Sequence, residues 1–365
     1  MSSVSVELSL PLSRPLEPRI FARSAFGKWC RSLWPGDLAM DLGTANTLIY
    51  LKDHGIVLNE PSALAVEEDS GKILAIGALA RQMFGKTAKA VRCVRPMKDG
   101  VIADFAMTSQ MINYMLLQVC KRCTLRRPRL VVGVPSGITQ VEKRAVVDAA
   151  LEAGIRQVML VEESMAAALG ADLPVDKAVG NMIVDIGGGT TEAAIISMNG
   201  TVYSHSIRVA GDEMDEAIQR EIRRRYGLEI GIFEAERVKM LLGSALPFEH
   251  TRRVVVYGRE TASSMPRQLE VSDDVVRTAL NEPLTAIISS ILAALEQTSA
   301  ETAQDVMSRG VYLAGGGALL KGLTERLFRE TGIPFHRALD PLSCVVRGVG
   351  KIVDRLPEMR ALCIS

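Results

Sequence analysis

A chain of 365 residues, 48% of them hydrophobic, exceeds what one core usually serves and has apolar material for two lobes. Its formal net charge of +1, with no long basic run beyond position 36, gives a nucleic-acid partner no electrostatic support. Six scattered cysteines, no cleavable secretory signal and no apolar run of about 18 residues lead us to expect a reducing cytoplasm and no transmembrane span.

Residues 1–18 hold Pro11, Pro15 and Pro18 and read as a flexible lead. From 19 to 34 the pattern turns helical. Ala22, Ala25, Phe26, Trp29, Cys30 and Leu33 share one side, opposite Ser24, Lys28 and Arg31, and both tryptophans of the chain fall here. A short cationic helix with an aromatic face suits the membrane interface, the competing reading being a helix that docks on protein.

Residues 38–50 and 182–196 repeat one design 144 positions apart, a strand, a small-residue turn and a second strand. Each brings an acid, Asp41 or Asp185, to the end of a buried strand. Glycines let backbone N–H groups approach phosphate oxygens, whereas the acids would act through a cation or its waters. One copy alone reads as an ordinary hairpin; two describe a clamp on a metal-bound nucleotide, held between two similar halves.

Between the repeats, residues 56–58 and 63–66 read as strands opening a small insert, and Met107, Met111, Tyr114, Met115 and Val119 mark a helix with core-filling methionines. Cys120 and Cys123 have CxxC spacing without a second pair and read as helix-end cysteines. Residues 130–135 (Leu-Val-Val-Gly-Val-Pro) form an apolar run of the kind covered on both faces, and a helix follows Thr139. The strand at 157–163 ends in Glu162 and Glu163, which are either catalytic or helix N-terminal charges, with Glu163 the better catalytic candidate. Beyond the second repeat come a charged helix after 208–215, a second helix at 234–239, strands at 253–257 and 267–271, a long helix at 273–296, and a strand–glycine–helix junction at 310–320 suited to a base or ribose.

The segments 41–48, 95–104, 133–139, 184–192, 208–217 and 313–317, in this order, resemble those of the actin-like ATPase superfamily, and within it the bacterial MreB cell-shape family. The resemblance spans about residues 37–355. It implies an α/β fold of two lobes, each a ribonuclease-H-like mixed sheet with helices on both faces and a small inserted subdomain. It also implies a weak Mg-dependent ATPase that binds ATP and Mg²⁺ between the lobes. Such a protein would be cytoplasmic, form protofilaments with itself on the inner membrane surface and work with cell-wall elongation proteins.

By position, the resemblance assigns Asp41, Gly43, Thr44, Ala45 and Asn46 to phosphate and cation on one side, and Asp185, Gly187, Gly188, Gly189 and Thr190 on the other. Asp41 and Asp185 would hold Mg²⁺ through water. Glu163, with Thr190 or Thr191, would position the attacking water. Gly211 and Asp212 would approach the ribose, Glu236 and Lys239 the sugar and base, and Gly315, Gly316 and Gly317 the adenosine.

The expected organisation is an extension at 1–36, a first lobe at 37–177 with an insert near 56–97, a second at 178–340 with an insert near 216–272, and a segment at 341–365 packing back on the first lobe. Two departures stand out: Ser164 replaces a family proline after the acid pair, and residues 124–128, with Arg126, replace a more apolar loop. The alternatives are a DnaK-type chaperone ATPase, whose large further domain has no room in the 48 residues after Gly317, and a small-molecule kinase.

Overall fold

The structure, a computed structural model, describes residues 36–120 and 127–364. The helix expected at 19–34, Cys123 and Arg126 lie outside the described residues.

The first lobe opens with an antiparallel meander, β1 (Leu38–Leu42), β2 (Asn46–Leu51) and β3 (Gly55–Pro61). A small antiparallel sheet follows, from β4 (Leu64–Glu67), β5 (Ile73–Ile76) and β6 (Val91–Val94), with α1 (Ala78–Met83) packed on it. A short hairpin, β7 (Met97–Lys98) and β8 (Val101–Ile102), leads into α2 (Phe105–Cys120). Then β9 (Arg129–Val134), α3 (Gln140–Glu152) and β10 (Gln157–Glu162) extend the main sheet in parallel to β1, and α4 (Glu163–Gly170) starts directly after β10. The order is β3-β2-β1-β9-β10.

The insert begins at Leu64 rather than 56, because β3 pairs with β2 along its whole length and so belongs to the main sheet. In α2 the methionine face is core as expected, with Met111, Met115 and Val119 buried, while Tyr114 points outward. The start of α3 is fixed by a capping box, Thr139 accepting from the Glu142 N–H while the Glu142 carboxylate accepts from the Thr139 N–H, a contribution of about 1 kcal/mol.

The second lobe repeats the plan. The meander β11 (Asn181–Ile186), β12 (Thr191–Ser197) and β13 (Gly200–Ile207) is followed by α5 (Gly211–Tyr226), the short β14 (Leu228–Glu229) and α6 (Ile232–Leu242). The hairpin β15 (Arg253–Glu260) and β16 (Pro266–Ser272) joins β14 in a three-stranded sheet. Next come α7 (Asp273–Glu296), α8 (Ala300–Arg309), β17 (Val311–Ala314), α9 (Leu323–Thr331) and β18 (Phe335–Arg337). The order β13-β12-β11-β17-β18, with β17 and β18 parallel to β11, matches the first sheet strand for strand.

The second insert's sheet also starts later than expected, at Leu228: α5 packs on α7 and contributes Ile218 and Ile222 to the lobe core. By length and composition α7 could cross a membrane, but Val276, Leu280, Leu284, Ile287 and Ile291 are sealed in that core.

The chain ends with α10 (Cys344–Asp354) and α11 (Leu356–Met359). Helix α10 packs on α4, β1 and β9, and Ile364 bridges to Leu160. A third core, drawing Ala39 and Val131 from one sheet and Ile183 and Ala194 from the other, wraps α4 and α10, which lie between the two sheets. Small residues permit this. A Cβ on Gly348 would lie 1.8 Å from the Ala166 carbonyl oxygen, and one on Gly170 would lie 1.9 Å from that of Cys344. The two lobes thus share a pivot of closely packed helices, and their strand ends face each other beyond it.

Candidate functional site

A cleft of about 540 Å³ lies between the lobes, lined by the turn after β1, the turn after β11, the first turn of α4, the start of α5, one face of α6 and the glycines after β17. Asp41, Gly43, Thr44, Ala45, Asn46, Glu163, Asp185, Gly187, Gly188, Thr190, Gly211, Asp212, Glu236, Lys239, Gly315, Gly316 and Gly317 all line it. Two sequence-derived candidates do not. Gly189 backs onto Asp99 outside the cleft, and Thr191 is fully buried with its hydroxyl donated to the Val209 carbonyl at 2.7 Å. Alternation along β12 turns Thr191 away from the cleft that its neighbour Thr190 faces.

The two turns meet. A Cβ on Gly188 would lie 2.9 Å from that of Ala45 and 3.1 Å from its backbone nitrogen. The first turn is braced by Ser62, whose hydroxyl donates to the Gly43 carbonyl at 2.6 Å. The second is tied to the start of α5, where the Asp212 N–H donates to the Gly188 carbonyl at 2.8 Å. Behind them Gly315, at φ 77°, lets the third turn press on Asp185: a Cβ there would lie 2.3 Å from Oδ1.

Three acids, Asp41, Asp185 and Glu163, line the cleft floor, and a fourth, Glu192, is buried close to them. Burial pushes the Asp41 carboxyl up to about 7, with the Asp185 charge adding to the effect, and lifts Asp185 to about 6. Glu163 is held well above the usual carboxylate range by burial first, then by the charges of Glu192, Asp41 and Asp185. Glu192, raised to about 8 mainly by burial, spans the lobes by accepting the Ser136 N–H at 2.9 Å. Acids crowded without a cation retain protons that a bound cation would displace.

The two glutamates at the end of β10 separate cleanly. Glu162 accepts the Thr201 hydroxyl at 2.7 Å, while Glu163 lines the cleft. With Pro absent, Ser164 is fully buried in the first turn of α4, its hydroxyl 3.5 Å from that of Ser136.

The residues fit a divalent cation. Asp185 Oδ1 is buried and has no hydrogen-bond partner, and the donors facing the cleft are hard oxygens. Among the described residues no three His, Cys, Asp or Glu side chains are grouped to hold a metal unaided. Such an ion would therefore arrive with ligands of its own, as a phosphate-bound cation does.

Sequence reading did not single out Glu192, Ser136, Asp215, Arg81 or Arg95. Lys239 donates to the Gly211 carbonyl at 2.7 Å and pairs with Asp215 at 2.9 Å; burial outweighs that lysine and lifts Asp215 to about 7. Arg95 reaches across the cleft to both Asp212 carboxylate oxygens, at 3.0 and 2.9 Å, and Arg81 pairs with Glu236. A glutamate inside an otherwise apolar β12 was the one available signal for Glu192. Surface arginines carry none.

Two sheets of one strand order, facing each other over paired acid-bearing turns, define an actin-like fold with its ligand cleft between the lobes. The family model described as MreB/Mbl protein matches residues 35–361. The cell shape-determining protein MreB of Escherichia coli K12 is 50% identical over 331 residues, covering 89% of this chain and 95% of that protein. Mbl of Bacillus subtilis is 41% identical, covering 88% and 97%. The chain belongs to the MreB/Mbl family.

Among solved structures, MreB5 of Spiroplasma citri bound to ADP superposes with a TM-score of 0.85 at 34% identity, over 90% of this chain and 99% of that one. Its AMPPNP-bound form gives 0.83 at 35% identity, over 90% and 98%. The MamK double helical filament, at 23% identity and a TM-score of 0.74 over 88% and 99%, shares the fold.

Proposed function

We propose that this protein binds ATP with Mg²⁺ between its lobes, hydrolyses it slowly, and polymerises into membrane-associated filaments that organise cell-wall elongation and maintain rod shape. The observation that carries the reading is the contact between the two acid-bearing turns, Ala45 against Gly188, with Asp41 and Asp185 behind them. Membership of a family whose relatives are named cell shape-determining proteins, and likeness to MreB5 bound to ADP and to AMPPNP, support it.

In this reading backbone N–H groups of residues 43–46 and 187–190 hold phosphate oxygens from opposite sides. Asp41 and Asp185 anchor the waters of Mg²⁺, which would neutralise charge on the phosphates. Glu163, with the Thr190 hydroxyl, orients the attacking water; positioning and electrostatics supply the rate. Gly211 and Asp212 flank the ribose, Glu236 and Lys239 the sugar and base, and Gly315, Gly316 and Gly317 the adenosine. Gly189 serves through the shape of its turn. The partners are further copies of this chain, elongation proteins and the inner face of the cell membrane, reached from the cytoplasm through residues 19–34.

The test is sedimentation of the full chain with ATP, ADP or no nucleotide, with and without anionic liposomes, beside a chain lacking residues 1–36. ATP-dependent pelleting, with liposome co-sedimentation lost on truncation, is the expected result. Stoichiometric phosphoryl transfer to a small molecule without pelleting would refute the filament reading, and unchanged liposome binding after truncation would refute the anchor.

A further inference from the structure

Glu236 stands on the wall between the main cleft and a small side crevice that also holds Arg81, Arg95, Asp212 and Phe233. It comes from α6 of the second lobe, whereas its ion-pair partner Arg81 comes from α1 in the insert of the first. The guanidinium is itself fixed. Its carbon lies 4.8 Å from the centroid of the Phe233 ring, and Phe233 is one helical turn before Glu236 on the same helix. Phe84, just beyond α1, closes the group by meeting that ring edge to face, centroids 5.3 Å apart at 85°.

This arrangement costs the protein nothing that a stability role would explain. Both charged side chains retain about a third of their exposure, 35% for Arg81 and 28% for Glu236, where an ion pair contributes little to folding. What the contact does provide is orientation. A glutamate on a helix surface samples several rotamers, and a guanidinium wedged against a ring removes that freedom. Arg81 engages Oε2, which leaves Oε1 to accept a hydroxyl from the cleft.

We infer that Arg81 is a positioning residue that aims the Glu236 carboxylate at the ribose hydroxyls, so that the sugar is read by a pair of residues assembled only when the two lobes are together. The inference rests on the nucleotide reading above and adds to it the residue that makes sugar recognition depend on closure. Arg95 provides the contrast. It also crosses the cleft, but its guanidinium hydrogen-bonds to Asp212 and the Thr44 carbonyl.

The experiment is equilibrium binding of ATP, 2′-deoxy-ATP and 3′-deoxy-ATP to the full-length wild type and to R81A, R81K and R95A, each checked for an unchanged melting temperature. Wild type should favour ATP over at least one deoxy analogue by about tenfold, the worth of a hydrogen bond to a charged acceptor. R81A should shrink that ratio to about twofold by weakening ATP, and any analogue that keeps the contacted hydroxyl, more than the analogue that lacks it, and R81K should fall between. R95A frees Asp212 at the ribose but leaves Glu236 paired with Arg81, so it should keep more of the ratio than R81A does. An R81A protein that keeps the wild-type ratio, or loses all three nucleotides in proportion, would overturn the inference alone. A wild type that binds no adenine nucleotide would take the functional reading down with it.

Discussion

Asp41 and Asp185 occupy the same station in two sheets of one strand order. Asp41 lies opposite Leu48 on the antiparallel side and Gly133 on the parallel side, and Asp185 lies opposite Glu192 and Ala314. Each is the penultimate residue of the central strand, so each delivers a carboxylate to the mouth of a turn. Facing the two sheets towards each other brings both acids to one place.

The first consequence concerns the cation. Asp185→Ala should weaken nucleotide binding in the presence of Mg²⁺ by about ten- to a hundredfold, the usual loss when an outer partner of a metal is removed. In excess chelator the same substitution should change affinity little. Titration under both conditions checks this, and an equal loss in both would mean that Asp185 shapes the turn rather than anchoring an ion.

Glu163→Ala should separate binding from turnover. Nucleotide affinity should stay within about threefold while phosphate release slows by about a hundredfold or more, the range of a lost general acid or base. Loss of binding instead would make Glu163 structural.

Glu192 should give the ligand-free protein a pH-dependent stability. Its proton is held to about 8 in the folded chain against an ordinary 4.5, so the folded state binds more protons between those values. That stabilisation is complete below about 4.5 and disappears as pH rises through about 8; Asp41, Asp185 and Asp215 act in the same direction at about 7, 6 and 7. Melting temperatures of the nucleotide-free protein should therefore fall from pH 5 to 8.5, less steeply in Glu192→Gln. A wild-type slope retained in that variant would contradict the assignment.

At the pivot, Gly348→Ala should destabilise the protein by about 1–3 kcal/mol, the cost of overpacking a close contact, because its methyl group meets the Ala166 carbonyl oxygen. Chemical denaturation measures it. A change under about 0.5 kcal/mol would mean that α4 and α10 separate freely.

Much of this was legible in the chain. The repeat of acid and small-residue turn marked both central strands, and apolar runs marked the strands beside them. The limits were those of side-chain direction and partnership. Glu163 could be preferred to Glu162 from its place beside the helix start, but that their side chains go to opposite places follows only from the register of β10 and the start of α4. The same holds for Thr190 and Thr191, which the sequence left as equals. Residues 56–58 read as a strand but not as part of the main sheet, since an apolar strand does not announce its neighbour. The glycines at 315–317 lead into a 3₁₀ turn rather than straight into a helix, because the Gly315 N–H is held by the Pro341 carbonyl and the turn packs on Asp185 and Ile186. Cross-lobe partners such as Arg81 and Glu236, 155 positions apart, leave no periodic trace at all.

The most direct test is a crystal structure of the full chain with AMPPNP and Mg²⁺. The account predicts phosphate density between residues 43–46 and 187–190, with the ion's waters touching Asp41 and Asp185. An empty cleft under saturating ligand, or a nucleotide seated away from both acids, would contradict it.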